Sequence, residues 1–155
     1  MKKVVKNLPD TKAEYQLKIP SETDNLELIR EFISRLAAKA GFGNEDVNKI
    51  ELAVDEACTN VIKHAYNKNE KQFIDIVVKK DVHKFTIVIA DKGKGFDVKK
   101  LKTLDMKDYL AEMRVGGLGI HLMHNLMDEI NFEIEPGIKN QVTMVKYFFK
   151  DSEVK

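Results

Sequence analysis

Glu56 and Asn60 are the first side chains in this sequence whose types and spacing suit a chemical reaction. They lie four residues apart in "DEACTN", and residues at that spacing share one face of a helix. An amide oxygen beside a carboxylate suits Mg²⁺, which takes one or two ligands from protein and the rest from water and phosphate. The free carboxylate could then orient or deprotonate a nucleophile. The same spacing also fits a solvated helix edge with an incidental asparagine.

The stretch "DKGKGFD" joins a carboxylate to two alternate glycines at the end of an apolar strand. A carboxylate at Asp91 can accept a hydrogen bond from an exocyclic amine, such as that of adenine. Glycines at Gly93 and Gly95 let the backbone pass close to a flat ring. Because Asp and Gly are also ordinary turn formers, a tight turn is the alternative interpretation.

A second glycine cluster, "GGLGI", stands directly before a helical pattern. Backbone N–H groups at a helix start bind phosphate well, and the helix dipole adds to the attraction. The segment is not a Walker loop, because GxxxxGK[ST] is absent. Arg114, just before the glycines, could reach a terminal phosphate. The alternatives are a flexible hinge and a solvated arginine.

The elements that must position these residues can be predicted from periodicity. Ala13 to Pro20 alternates and predicts a strand. Ser21 opens a helix with "SETD" as a capping box, and "GFGN" ends that helix, with Asn44 capping the next one. The second helix should run from about Glu45 to Tyr66, with an apolar face that leaves Glu56, Asn60 and Lys63 off its centre.

The second half of the chain predicts two strand pairs around a long polar connection. "FIDIVVKK" and "HKFTIVIAD" form the first pair, and a connection from Gly93 to Gly117 is long enough to be a lid. Ile120 to Ile130 looks helical, and two strands follow around Pro136, Gly137 and Asn140. Paired strands with helices between them favour an α+β fold, in which helices cover one face of a mainly antiparallel sheet.

Composition bounds the class of protein. The chain has 155 residues, of which 43% are hydrophobic and 33% charged, which suits one soluble domain. A formal net charge of +1 gives no basic field to indicate nucleic acid. Cys58 is the only cysteine, so no disulfide framework is expected. No apolar run is long enough for a membrane span, and the expected location is the cytosol.

In this order, "ELAVDEACTNVIKHAY", "DKGKGFD" and "GGLGIHLM" resemble the N-box and the two glycine boxes of the GHKL ATPases. The resemblance is greatest to the stand-alone bacterial anti-sigma factors that are also serine-protein kinases. It implies a single Bergerat-fold domain over 1–155, a two-layer sandwich with an ATP lid at about 96–116. It also implies use of ATP and Mg²⁺, a sigma factor and an anti-anti-sigma (STAS) protein as partners, and a homodimer.

The resemblance implies a role for each matching position. Glu56 looks like the general base for a substrate serine, Asn60 like the Mg²⁺ ligand, and Asp91 like the adenine reader. The other nucleotide-binding positions that it implies are Lys63, His64, Gly93, Gly95, Phe96, Arg114, Gly116, Gly117, Leu118, Gly119 and Thr143.

The late strand departs from the family pattern. The family usually has a glycine followed by two threonines, whereas this chain has "NQVTMV", so Thr143 is the only threonine available there. Two functions remain open at this point. One is a kinase that phosphorylates the anti-anti-sigma protein and sequesters a sigma factor. The other is an ATP-responsive module that holds a partner without phosphotransfer. Glu56 favours the first.

Overall fold

The fold is a two-layer arrangement of helices on one antiparallel sheet. This computed structural model describes residues 12–65, 72–93, 118–135 and 137–149, with the backbone alone for 64, 65 and 118–120. The strands are β1 Ala13–Pro20, β2 Phe73–Lys80, β3 Lys84–Asp91, β4 Glu129–Glu135 and β5 Lys139–Tyr147. The helices are α1 Leu26–Ala40, α2 Asn44–Asn60 and α3 Leu118–Leu126, with a 3₁₀ turn at Thr23–Asn25 and a π turn at Val61–Ala65.

The five strands lie in the order β1-β2-β3-β5-β4, and every neighbouring pair is antiparallel. Side chains alternate across a strand, so one face of each strand can be apolar. In β2 the buried apolar residues are Ile74, Ile76 and Val78, and in β3 they are Phe85, Ile87 and Ile89. The predicted α+β fold with a mainly antiparallel sheet is confirmed.

The helices bury one apolar stripe each in a core shared with the sheet. Ile29, Ile33 and Ala37 of α1 are buried, as are Ile50 and Val54 of α2. The stripes follow the three- and four-residue spacing of a helix face. Among the described residues, no helix combines the length and apolar character needed to cross a membrane.

The predicted helix caps are wrong, whereas the start of the second helix near Glu45 and the first predicted stop are confirmed. Ser21 does not cap a helix: its N–H donates to the Gln72 carbonyl at 2.8 Å, so it continues the pairing of β1 with β2. Gly43 occupies the cap position of α2, and the Asn44 side chain makes no capping bond. Gly41 ends α1 with a φ of 113°, a left-handed conformation that favours glycine.

Of the two other predicted helix ends, one lies outside the described residues and one is wrong. After Asn60 the helix widens into the π turn, in which hydrogen bonds close over one more residue than in an α-helix. The prediction for Tyr66 lies outside the described residues. The third helix ends at Leu126 rather than Ile130, because β4 begins at Glu129 and Ile130 pairs with Met144. The helical pattern there is overridden by pairing with β5.

A buried lysine fixes the C-terminal end of α3. Lys146 is 3% exposed, and its Nζ donates to the Leu126 carbonyl at 2.8 Å. The same Nζ lies 3.9 Å from Asp46 Oδ1 in the first turn of α2. A cation near the last carbonyls satisfies an orphan acceptor and complements the helix dipole. Lys146 therefore ties both helices to β5.

Replacing this lysine should lower stability. We expect Lys146→Met to reduce the free energy of unfolding by about 1–3 kcal/mol, because the Leu126 carbonyl loses a charged donor. Urea unfolding followed by circular dichroism measures the change. The matched control is Lys49→Met, which removes only an exposed ion pair with Glu45 and should change stability by less than about 1 kcal/mol. Equal effects in the two variants would contradict the role given to Lys146.

Candidate nucleotide site

A small cleft lies between the end of α2, α3 and the β3–β5–β4 side of the sheet. Its volume is about 20 Å³, which is room for about one water molecule. Its lining residues are Ala57, Asn60, Val61, Ile89, Asp91, Met123, Phe132, Ile134, Asn140, Gln141 and Val142. Larger depressions of about 470 and 220 Å³ lie elsewhere and contain none of the predicted site residues. We place the site by its chemistry rather than by size.

Asp91 is the buried carboxylate of this cleft. The side chain is on the last residue of β3, and the residue is 5% exposed. Its Oδ1 accepts hydrogen bonds from the Gly93 N–H at 2.8 Å and from Asn140 Nδ2 at 3.0 Å. Burial raises the pKa of Asp91, and the two hydrogen bonds oppose that rise. Both described hydrogen bonds fall on Oδ1, which leaves Oδ2 as the acceptor for a ligand.

The backbone after Asp91 is held by the turn between β4 and β5. The Gly93 carbonyl accepts from the Gly137 N–H at 2.8 Å and from Asn140 Nδ2 at 2.7 Å. Gly137 has a φ of 79°, which an L side chain rarely adopts. The start of the segment after β3 is therefore fixed to β5 by hydrogen bonds, which places the Gly93 backbone beside the Asp91 carboxylate.

Glu56 and Asn60 lie in the last turns of α2. Both side chains are partly exposed, and Asn60 lines the cleft. Their four-residue spacing within the α-helix places them on one face, as the sequence predicts. Lys63 is exposed in the π turn, which rotates it relative to a straight continuation of α2. The side chain of His64 is outside the described part of the chain.

The second glycine cluster leads into α3, which begins at Leu118. For Leu118 and Gly119 the structure describes a helical backbone, as expected for a phosphate-binding helix start. Met123 of the same helix is 1% exposed and lines the cleft. The predicted positions Gly95, Phe96, Arg114, Gly116 and Gly117, and the lid at 96–116, lie outside the described residues.

Thr143 does not line the cleft. It pairs with Val88 of β3 and Asn131 of β4, and all three lie on the sheet face away from the helices. Because strand side chains alternate, Asn140 and Val142 are the β5 residues on the inner face of the sheet, and Gln141 between them also lines the cleft. Sequence reasoning treated Asn140 only as a turn residue. Side chains alternate along a strand, so Asn140, which is four residues before the buried Met144, could have been placed on the inner face of the sheet.

The family model for the histidine kinase-like ATPase domain matches residues 19–146, which include the described parts of the cleft. The chain therefore belongs to the histidine kinase-like ATPase domain family. The resemblance to the GHKL ATPases is confirmed by this match. Membership of this family implies that the protein uses ATP.

Two curated relatives narrow the class of protein within this family. The serine-protein kinase RsbW of Bacillus velezensis is 32% identical over 137 residues, covering 85% of this chain and 84% of the relative. The serine-protein kinase RsbW of Staphylococcus aureus is 35% identical over 141 residues, covering 88% of this chain and 87% of the relative. The expected likeness to stand-alone serine-protein kinases is confirmed.

A solved structure supports the fold. The RsbU and RsbW domains of Rv1364c from Mycobacterium tuberculosis match with a TM-score of 0.62 over 86% of this chain, at 12% identity. This chain spans 31% of that longer chain. At this identity the likeness concerns the arrangement of strands and helices alone.

Proposed function

We propose that this protein is an anti-sigma factor with serine-protein kinase activity. It uses ATP and Mg²⁺ to phosphorylate a serine of an anti-anti-sigma (STAS) protein, and it sequesters a sigma factor. The observation that carries the proposal is the convergence of Asn60, Asp91 and α3 on one cleft, in a chain 32–35% identical to two serine-protein kinases. The same proposal includes a homodimer in the cytoplasm. Each of its chains is a single domain with a lid at about 96–116.

The described residues fit a nucleotide and its metal. Asp91 Oδ2 accepts from the exocyclic amine of adenine, and the Gly93 backbone lies beside it. The Asn60 amide oxygen would be a hard ligand for Mg²⁺, an ion that usually takes its remaining ligands from phosphate and water. The cleft holds about one water, so base entry requires the walls to move apart. The proposed phosphate-binding residues are Lys63, His64, Arg114 and the glycine cluster at 116–119.

Glu56 supplies the proton chemistry. It accepts the proton of the substrate serine while the hydroxyl oxygen bonds to the γ-phosphorus of ATP and the bond from that phosphorus to the leaving ADP breaks. Such a transfer depends on positioning and on stabilising the phosphoryl charge. Glu56 is partly exposed at the end of α2, which leaves it open to a protein substrate. Asn60, one turn later on the same helix face, would hold the Mg²⁺ ion.

Intact-mass analysis tests the activity directly. Candidate anti-anti-sigma proteins from the source genome are incubated with this protein, ATP and Mg²⁺. We expect one phosphoryl group on a serine of the cognate protein. If the protein binds nucleotide but no candidate gains mass, the kinase proposal is wrong. The result would then favour the alternative, an ATP-responsive module that binds a partner without phosphotransfer.

Asn60→Ala should remove the metal dependence of nucleotide binding. We expect the affinity of wild type for ATP to rise when Mg²⁺ is added. In the variant this rise should be less than about a tenth as large, because a ligand of the ion is lost. Titration calorimetry with Mg²⁺ and with EDTA measures both values. Asn48→Ala, at an exposed position on the same helix, is the matched control and should behave as wild type. An undiminished Mg²⁺ response in Asn60→Ala would assign the metal to other residues.

A further inference from the structure

Asn140 is an almost fully buried amide that sequence reasoning did not place in the site. It is 3% exposed, and in the ladder of β3 and β5 it lies opposite Asp91. Its Nδ2 donates to Asp91 Oδ1 at 3.0 Å and to the Gly93 carbonyl at 2.7 Å. Both partners offer only lone pairs, so the amide must present its NH₂ group to them. This fixes which end of the side chain is the oxygen.

In this arrangement the side-chain oxygen of Asn140 has no hydrogen-bond partner among the described residues. Oδ1 is buried and makes no hydrogen bond within the described part of the chain. A buried polar atom without a partner costs about 1–3 kcal/mol, so its presence calls for a physical reason. Asn140 lines the same cleft as Asp91. The cleft therefore contains two acceptors on adjacent strands, Asp91 Oδ2 and Asn140 Oδ1, with no described donor for either.

We propose that Asn140 is a second base-reading residue, whose Oδ1 accepts one hydrogen of the exocyclic amine while Asp91 accepts the other. The inference rests on the proposed use of ATP. An adenine amine carries two hydrogens, which match two acceptors. An oxo group at the same ring position brings a third acceptor against them and leaves both unpaired. The pair thus selects an aminopurine over an oxopurine.

Inosine triphosphate is the probe for this selection, because it replaces that amine with an oxo group. Equilibrium affinities for ATP and inosine triphosphate are measured by displacement of a fluorescent nucleotide. We expect wild type to prefer ATP by about 100-fold or more, as sites built to pair a polar group reject analogues that lack it. In Asn140→Ala the preference should shrink about tenfold. Asn131→Ala, an exposed asparagine on β4, is the matched control and should keep the wild-type preference.

A uniform loss would overturn the inference. If Asn140→Ala weakened ATP and inosine triphosphate by the same factor, Asn140 would only hold Asp91 and Gly93 in place. Circular dichroism and the unfolding midpoint are recorded for each variant, so that a misfolded protein is recognised.

A second measurement needs no variant. ATP carrying one methyl group on its exocyclic amine keeps a single hydrogen there, which satisfies only one acceptor. We expect wild type to bind it about tenfold more weakly than ATP. Equal affinity would show that the second hydrogen is not read, and would overturn the role of Asn140 even if Asn140→Ala fails to fold.

The outcomes separate this inference from the kinase proposal, because binding is measured without phosphotransfer. Wild type that binds no ATP overturns both. Wild type that binds ATP, with selectivity independent of Asn140, overturns the base-reading role alone. The expected selectivity in a protein that transfers no phosphate supports Asn140 and overturns the kinase.

Discussion

Glu56→Gln should keep nucleotide affinity within about twofold of wild type and lower the phosphotransfer rate by about 100-fold or more. The substitution preserves the size of the side chain and removes its ability to accept a proton. General base catalysis typically contributes factors of this order. Glu56 is also absent from the cleft lining, so loss of its charge should leave base binding intact. The measurements are nucleotide titration and single-turnover transfer to the cognate anti-anti-sigma protein.

The control for Glu56 is a glutamate on the same helix with no place in the site. Glu45→Gln changes an exposed carboxylate in the first turn of α2 and should transfer phosphate at the wild-type rate. Transfer by Glu56→Gln at the wild-type rate would exclude the base assignment. Loss of ATP affinity together with activity would instead place Glu56 in nucleotide binding.

Asp91→Asn should weaken ATP binding by about 100-fold. The asparagine oxygen can keep the bonds from Gly93 and Asn140, but an NH₂ group then replaces Oδ2 and faces the donor of the base. A hydrogen bond to a charged acceptor is worth about 1.5–3 kcal/mol, and a facing donor adds to the loss. Nucleotide titration of wild type and variant measures the effect. ATP binding at wild-type strength would exclude Asp91 as the base reader.

The same variant should be more stable than wild type at neutral pH. Burial raises the pKa of Asp91 in the folded state, so its ionisation opposes folding. Below the ordinary carboxyl pKa of 3.8 both states are protonated and the variant should match wild type. As the pH rises through the folded-state pKa, wild type loses stability relative to the variant. Thermal unfolding on both sides of this range measures the difference.

Asp81→Asn is the matched control, for which we expect a stability change of the opposite sign. Asp81 accepts hydrogen bonds from the backbone N–H groups of His83 and Lys84 at 2.7 and 2.9 Å, and the His83 bond is the main cause of its lowered pKa. Its charge therefore favours folding above pH 3.8, and that contribution is lost as the pH falls through the folded-state pKa. We expect this variant to be slightly less stable than wild type at neutral pH. A stability gain in both variants would show that the Asp91 effect is not due to burial.

Strand positions could be read from the sequence because their signal is local. β1 and β2 have the predicted bounds, and β3 ends at Asp91 as predicted, since each alternates and is closed by turn-forming residues. Helix ends were less predictable because other partners compete for the same backbone groups. Ser21 pairs toward β2, and Ile130 pairs with Met144, although both sit in helical patterns. Propensity is a weak preference that such pairing overrides.

The sequence by itself determined two of the chemical groups that the cleft holds. Asn60 and Asp91 carry functional groups typical of metal and amine recognition, and their motifs stand in a recognisable order along the chain. Only the tertiary structure decided which residues accompany them. Asn140 reaches Asp91 across 49 residues of sequence because β3 pairs with β5 in one register. The alternation of β5 in that register turns Thr143 to the opposite face, since neighbouring side chains on a strand point to opposite sides.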